Sequence, residues 1–245
     1  MPAPCPYLSS RLERKVFTHL QGALATPLNN ALTHAGFRRS QNIAYKPACE
    51  SCNACISARI VVERFVLTRS FKRVISINRD VTSRVVPTTA TEEQYAILRG
   101  YLDSRHPDGG MSDMTVLDYV SMVEETAVKT QLVEYRVSAD STSSYPGNSN
   151  ELIGIAITDK LADGLSMIYS FFLPSVERRS MGTYMVLDHI HQAQQRDESY
   201  VYLGYWVASC SKMDYKARFK PLEVLSPSGW IPLEINSAQQ QVSDI

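Results

Sequence analysis

The stretch from residue 151 to residue 206 constrains the fold of this 245-residue chain more than any other. Residues 151–158 and 165–172 are short apolar runs and predict two strands. Residues 180–196 predict a helix with Ser180 as its N-cap, and 200–206 predict another strand. A short basic helix or turn at 212–219 and a last strand at 222–225 follow. Antiparallel strands backed by a long helix give an α+β architecture: a mixed, mostly antiparallel sheet with flanking helices, of the acyltransferase type.

The first half is more varied. Residues 13–20 alternate like a strand. Residues 23–35 place Leu24, Leu28, Ala31 and Leu32 on one helical face and stop at Gly36. Residues 37–45 read as extended and 57–67 as β-rich, and 70–79 read as a basic helix with Phe71, Val74, Ile75 and Asn78 on one side. Residues 91–105 form the clearest helix of this half, capped by Thr91 and striped by Tyr95, Leu98 and Leu102. An Asp108-Gly109-Gly110 turn, a helix over 113–124 and a strand over 131–137 come next. The Ser, Asn, Gly and Pro content of 139–150 predicts a flexible loop between two strands. The expected organisation is an N-terminal lobe over 1–90, an acyltransferase-like lobe over 91–236 and a polar tail over 237–245.

Twenty-five basic residues balance twenty-five acidic ones, so any nucleic-acid footprint must be local rather than a bulk property. The chain opens without a basic segment followed by an apolar run, and no apolar stretch approaches the roughly 20 residues that span a bilayer. A cytoplasmic protein without a membrane partner is the expectation. Cysteine use agrees: five residues, three of them in seven positions, make a poor disulfide framework. Cys49, Cys52 and Cys55 form a C-x2-C-x2-C run, and Cys5 is a possible fourth ligand. Four thiolates suit zinc or an iron–sulfur cluster, and reduced thiols in a tight loop are the alternative.

Several segments are more particular than composition. They are Cys5-Pro-Tyr-Leu, Gly36-Phe-Arg-Arg-Ser, the run from Tyr45 to Cys55, Asn78-Arg-Asp, Arg105-His-Pro with Gly109-Gly-Met, Gly164-Leu-Ser-Met-Ile-Tyr-Ser-Phe-Phe, Ser180-Met-Gly-Thr-Tyr and Tyr202-Leu-Gly-Tyr-Trp-Val. In that order they resemble the bacterial aspartate/glutamate leucyltransferases, relatives of the arginyl-tRNA–protein transferases, over nearly the whole chain. The resemblance implies a two-lobed, N-acetyltransferase-like fold. It also implies transfer of leucine from leucyl-tRNA to the N-terminal Asp or Glu of acceptor proteins, marking them for degradation, with no cofactor required for the chemistry. Arginyl transfer, acetyl-CoA-dependent acetylation and a metal-dependent nucleic-acid-binding module are the competing readings. Acetylation is disfavoured because the loop before the 180–196 helix keeps one glycine, too few for a pyrophosphate cradle.

Given that reaction, two kinds of basic site are needed: guanidinium for a carboxylate and any cation for tRNA phosphates. Arg38, Arg39, Arg73, Arg79, Arg178 and Arg179 are the candidates. Tyr169, Asp188 and Tyr205 are the candidates for the acyl transfer itself, and His189 and His191 are weaker choices as bases. No nucleophile signature is present, and none is required, because an aminoacyl ester is already activated.

Overall fold

A computed structural model describes residues 2–105, 111, 113–138, 148–208 and 210–234. The elements in chain order are β1 (Ala3–Pro4), β2 (Leu12–Glu13), β3 (Lys15–His19), α1 (Ala25–His34), β4 (Arg38–Ser40), β5 (Ile43–Pro47), β6 (Ile56–Val61), α2 (Arg69–Ile77), β7 (Val81–Val86), α3 (Glu92–Arg105), α4 (Val116–Glu124), β8 (Thr130–Val137), β9 (Leu152–Lys160), β10 (Gly164–Phe172), α5 (Met181–Gln195), β11 (Tyr200–Trp206), α6 (Ser211–Asp214), β12 (Leu222–Ser226) and β13 (Gly229–Pro232). Eight strands form one sheet in the order β13-β12-β6-β11-β10-β9-β8-β7. Every neighbouring pair is antiparallel except β10 and β11, which α5 connects as a parallel crossover. This is the mixed, mostly antiparallel α+β architecture expected from the sequence.

The central strands are apolar along almost their whole length because helices cover both faces. On one face α5 contributes Met181, Met185, Val186 and Ile190, and α2 contributes Phe71 and Val74. On the other, α3 supplies Ile97, Leu98 and Leu102, and α4 supplies Tyr119 and Val123. β9 serves both cores, with Ile153 in the first and Leu152, Ile155 and Ile157 in the second. Each such side chain removed from water stabilises the fold by roughly 1.5–3 kcal/mol.

A second, smaller layer, the sheet β3-β5-β4 with α1, has its own core of Leu20, Ala25, Ala44 and Val128. It docks on the large sheet through Arg39, whose guanidinium grips Asp159 of β9 with Nε and Nη2 each 2.6 Å from a carboxylate oxygen. Thr130 and Asn29 donate to the same carboxylate. β6 and β7 belong to the large sheet, so residue 90 is no boundary between sheets.

Local expectations are adjusted at several points. β7 and β13 are strands with no counterpart in the sequence reading, and β6 ends at Val61 rather than continuing to residue 67. The helix expected over 113–124 starts at Val116, because Thr115 caps it in a reciprocal capping box with Asp118. Ser180 does not cap α5 with its side chain; its backbone is left-handed, φ 55°. The turn at 108–110, most of the 139–150 loop and the tail lie outside the described residues.

Candidate active site

The parallel pairing of β10 and β11 is brief. Gly164, Leu165 and Ser166 face Tyr200, Val201 and Tyr202, and there the ladder stops while both strands continue. Each strand is irregular at that point: β10 shifts register against β9 between Met167 and Tyr169, and β11 shifts against β6 between Tyr202 and Gly204. Bulges of this kind bend and twist a strand, and here they part the two strands. The carbonyls in the gap need other partners.

Two cations supply them. Arg38, carried in by β4 of the small layer, donates from Nη2 to the carbonyls of Ile168 at 2.9 Å and Met167 at 3.4 Å. Lys216, on the 3-10 turn Tyr215–Arg218, donates from Nζ to the carbonyls of Leu203, at 2.9 Å, and Tyr205. Gly204 lies between those two carbonyls with φ +71°, and a Cβ there would collide with the Arg38 guanidinium. Only glycine meets both demands.

Arg38 and Lys216 form part of the lining of a cleft of about 670 Å³, with Tyr101, Tyr169, Arg105 and Thr183 around it. Met181, Gly182 and Thr183 bring the first turn of α5 to its wall, where unpaired backbone N–H groups favour an anion. Asn78 sets that turn in place, donating to the carbonyls of Val74 and Arg179, each at 2.9 Å. Burial raises the Tyr169 phenol above its ordinary range, with Tyr101 adding to it, and burial also raises Tyr101 against the pull of Arg105. Both phenols therefore stay neutral. Burial and then the Arg38 field lower Lys216 from 10.5 to about 7, against a smaller opposing influence of Cys210.

Of the residues singled out in the sequence, Arg38 and Tyr169 stand in the cleft. Tyr205 does not: it is 2% exposed, and its hydroxyl donates to the carbonyls of Gly36 and Tyr45. It braces Arg38, whose guanidinium carbon lies 6.0 Å from its ring centre. Asp188 points away toward β7 and β8, accepting from Ser83 and Tyr135 at 2.9 Å and from Gln192 at 2.7 Å. Three donors make it a structural carboxylate rather than a catalytic one. Arg39 is buried in its pair with Asp159 and has no face toward the cleft. Arg179 pairs with Asp80 and donates to the carbonyl of Ile77, tying the loop before α5 to the end of α2. Arg73, Arg79 and Arg178 are exposed and outside the cleft. His189 is fully buried between Thr158 and the Met185 carbonyl, and burial lowers its pKa. Sequence reasoning missed Lys216, Gly204, Tyr101 and Arg105. Lys216 was hidden in a segment that reads as an ordinary basic turn.

Cys5, Cys49, Cys52 and Cys55 line a separate cavity of about 760 Å³, together with residues of β6 and β12. Burial raises the Cys55 thiol to about 11, and the other three thiols add to the shift. The Ala54 backbone N–H lowers Cys52. The donor chemistry suits zinc or a cluster, but among the described residues no three Cys, His, Asp or Glu side chains converge on one ion position.

The parallel pair parts within an otherwise antiparallel sheet, and the first turn of α5, the phenols of Tyr101 and Tyr169 and the basic groups of Arg38 and Lys216 line the cleft beside the gap. Residues 3–73 match the family model described as arginine-tRNA-protein transferase, N terminus, and residues 93–226 match the one described as its C terminus. The chain belongs to that transferase family. It is 54% identical over 243 residues to an aspartate/glutamate leucyltransferase of Nitrobacter hamburgensis, covering 99% of this chain and 93% of that protein. It is 56% identical over 229 residues to the one of Brucella abortus, covering 94% and 92%. Among solved structures, FemX overlaps 80% of this chain and 64% of its own at 8% identity, with a TM-score of 0.46. That overlap does not bear on the chemistry of the cleft.

Proposed function

We propose that this protein transfers leucine from leucyl-tRNA to the N-terminal Asp or Glu of acceptor proteins. The observation that carries the reading is the cationic, phenol-lined cleft at the β10/β11 gap, in a chain that aligns almost end to end with relatives named for that reaction. The acceptor's α-amine attacks the ester carbonyl as the free base. A C–N bond forms, the C–O bond to the terminal ribose breaks, and the amine proton passes to the departing ribose oxygen. Tyr169 and Tyr101, held neutral, donate to the carbonyl oxygen as negative charge develops on it. Because the ester is already activated, positioning supplies much of the rate without a covalent enzyme intermediate.

The tRNA body needs phosphate contacts outside the cleft. Arg69, Lys72, Arg73 and Arg79 are exposed on or just beyond α2, in a segment, 66–79, without a single carboxylate. Arg218 continues the strip, its guanidinium 5.6 Å from the ring of Phe71, and Lys212 stands at the cleft. This is the local basic footprint that a neutral chain requires. The leucine so added would mark the acceptor for degradation in the cytoplasm, a compartment that suits five free thiols. Among the described residues no helix is long and apolar enough to cross a membrane. Binding of a zinc ion or cluster at Cys5, Cys49, Cys52 and Cys55 would require the four thiols to draw together, and the transfer steps pass through neither.

Transfer of labelled leucine from leucyl-tRNA to peptides beginning with Asp, Glu, Lys or Ala tests the reading. Leucine on the Asp and Glu peptides alone is expected. Transfer from arginyl-tRNA instead would correct the donor, and acetylation from acetyl-CoA would overturn the reading.

A further inference from the structure

Two basic side chains, Arg38 and Lys216, line the cleft, and among the described residues neither has a carboxylate partner. Lys216 is 5% exposed, and both its hydrogen bonds and those of Arg38 go to backbone carbonyls. No carboxylate of the described residues lies within ion-pairing distance of either. The nearest carboxylate of the cleft lining, Glu177, is bound to Arg105 at 2.7 Å. Burying an ammonium without a counter-ion is costly, and proteins avoid it unless something in the site compensates. We propose that Lys216, together with Arg38, receives the side-chain carboxylate of the acceptor's first residue, so that Lys216 sets the preference for Asp and Glu over uncharged N-termini. This assignment rests on the leucyl-transfer reading above.

The alternative ligand for the pair is the oxyanion that forms during acyl transfer. Three observations favour the carboxylate. A full negative charge suits a guanidinium beside an amine that takes up a proton on binding it, whereas a transient oxyanion can be met by the phenols of Tyr169 and Tyr101 that line the same cleft. The pair is anchored at both edges of the parted strands and at Gly204, so it is rigid and preorganised for a fixed anion. Lys216 also has its proton affinity reduced by burial and by Arg38, so the charge is restored when a carboxylate arrives. Such an arrangement binds an acidic residue and rejects its amide, because the amide brings no charge to compensate the site.

The test compares two acceptor peptides that differ only in the first residue, Asp or Asn, at saturating leucyl-tRNA. Loss of a charge-assisted hydrogen bond is worth about 10- to 100-fold. Lys216→Met is therefore expected to lower kcat/KM for the Asp peptide by about that factor, through KM, so that the Asp-to-Asn ratio of kcat/KM falls while the KM for leucyl-tRNA holds. Arg38→Met should act in the same direction and carries the test if Lys216→Met fails to fold. An equal loss on both peptides, or a loss in kcat alone, overturns the assignment in favour of a structural or oxyanion role. If the wild type transfers no leucine to either peptide, the reaction is misread. Calorimetric binding of the two peptides then still decides on Lys216: Asp-peptide affinity unaffected by Lys216→Met overturns its role.

Discussion

Replacing Lys216 with methionine should change how stability depends on pH, in a direction fixed by the structure. The ammonium falls from an ordinary 10.5 to about 7 in the folded protein, first through burial and then through Arg38. Between those values the unfolded chain carries a proton that the folded chain lacks, so stability rises with pH across that window. Below pH 7 both states are protonated and the penalty is complete; above about 10.5 both are neutral and it is gone. The greatest slope for one group is about 1.4 kcal/mol per pH unit, and the whole penalty is at most roughly 5 kcal/mol. Methionine keeps the volume and removes the titration. It also strands the carbonyls of Leu203 and Tyr205, a cost of about 1–3 kcal/mol that does not vary with pH. The offset between the two proteins is therefore not diagnostic, but the slope is. Urea unfolding followed by tryptophan fluorescence from pH 6.5 to 9.5 would measure it, and other titrating groups cancel in the difference. The wild type should gain about 2–4 kcal/mol on the variant over that range. Parallel curves would mean that Lys216 titrates normally, and the argument from its burial would fail.

Three further outcomes follow from the same geometry. Gly204→Ala places a Cβ against the Arg38 guanidinium at φ +71°, so transfer should fall more than about tenfold and stability by about 1–3 kcal/mol; normal activity with normal melting would show that the gap tolerates a side chain. If α2 carries tRNA phosphates as proposed, Arg73→Ala should raise the KM for leucyl-tRNA and lower the salt slope of binding by about one, with the peptide KM unchanged. A salt slope equal to that of the wild type would remove α2 from the tRNA path. Cys52→Ser should lower bound metal, read by elemental analysis, and the melting temperature if the clustered thiols hold an ion; unchanged values for both would leave them as plain thiols.

The sheet was legible where strands are long and covered on both faces, since β9, β10 and β11 read as apolar runs in the sequence. β7 was not: its alternation in Val81–Val86 is short, and four of its six residues are exposed. The site was half legible. Arg38 and Tyr169 carry their own signal, a guanidinium after a turn glycine and a phenol on an apolar strand. Asp188 looked catalytic because a carboxylate on a long helix is chemically versatile. Its neighbours in space, Ser83 and Tyr135, lie over 50 residues away and consume it. Arg39 was indistinguishable from Arg38 in sequence, yet strand alternation turns them to opposite sides. Arg38 reaches the gap, and Arg39 reaches Asp159.

That alternation also explains how the cleft arises from segments remote in the chain. The gap between β10 and β11 exists because both strands are irregular at one level, and it leaves carbonyls that water alone would otherwise satisfy. A chain filling it with neutral donors would be more stable. A chain adding a carboxylate beside Lys216 and Arg38 would be more stable still, because the pair would be neutralised. This chain does neither: it closes the gap with two cations from elements that meet only in the folded state. The stability given up there reappears as affinity once an acceptor supplies the missing negative charge. An engineered carboxylate is the sharpest check of that exchange. Ser170→Asp, on the cleft wall of β10, should raise the melting temperature while weakening Asp-peptide binding, and a variant that lost stability and kept its affinity would break the link between the two.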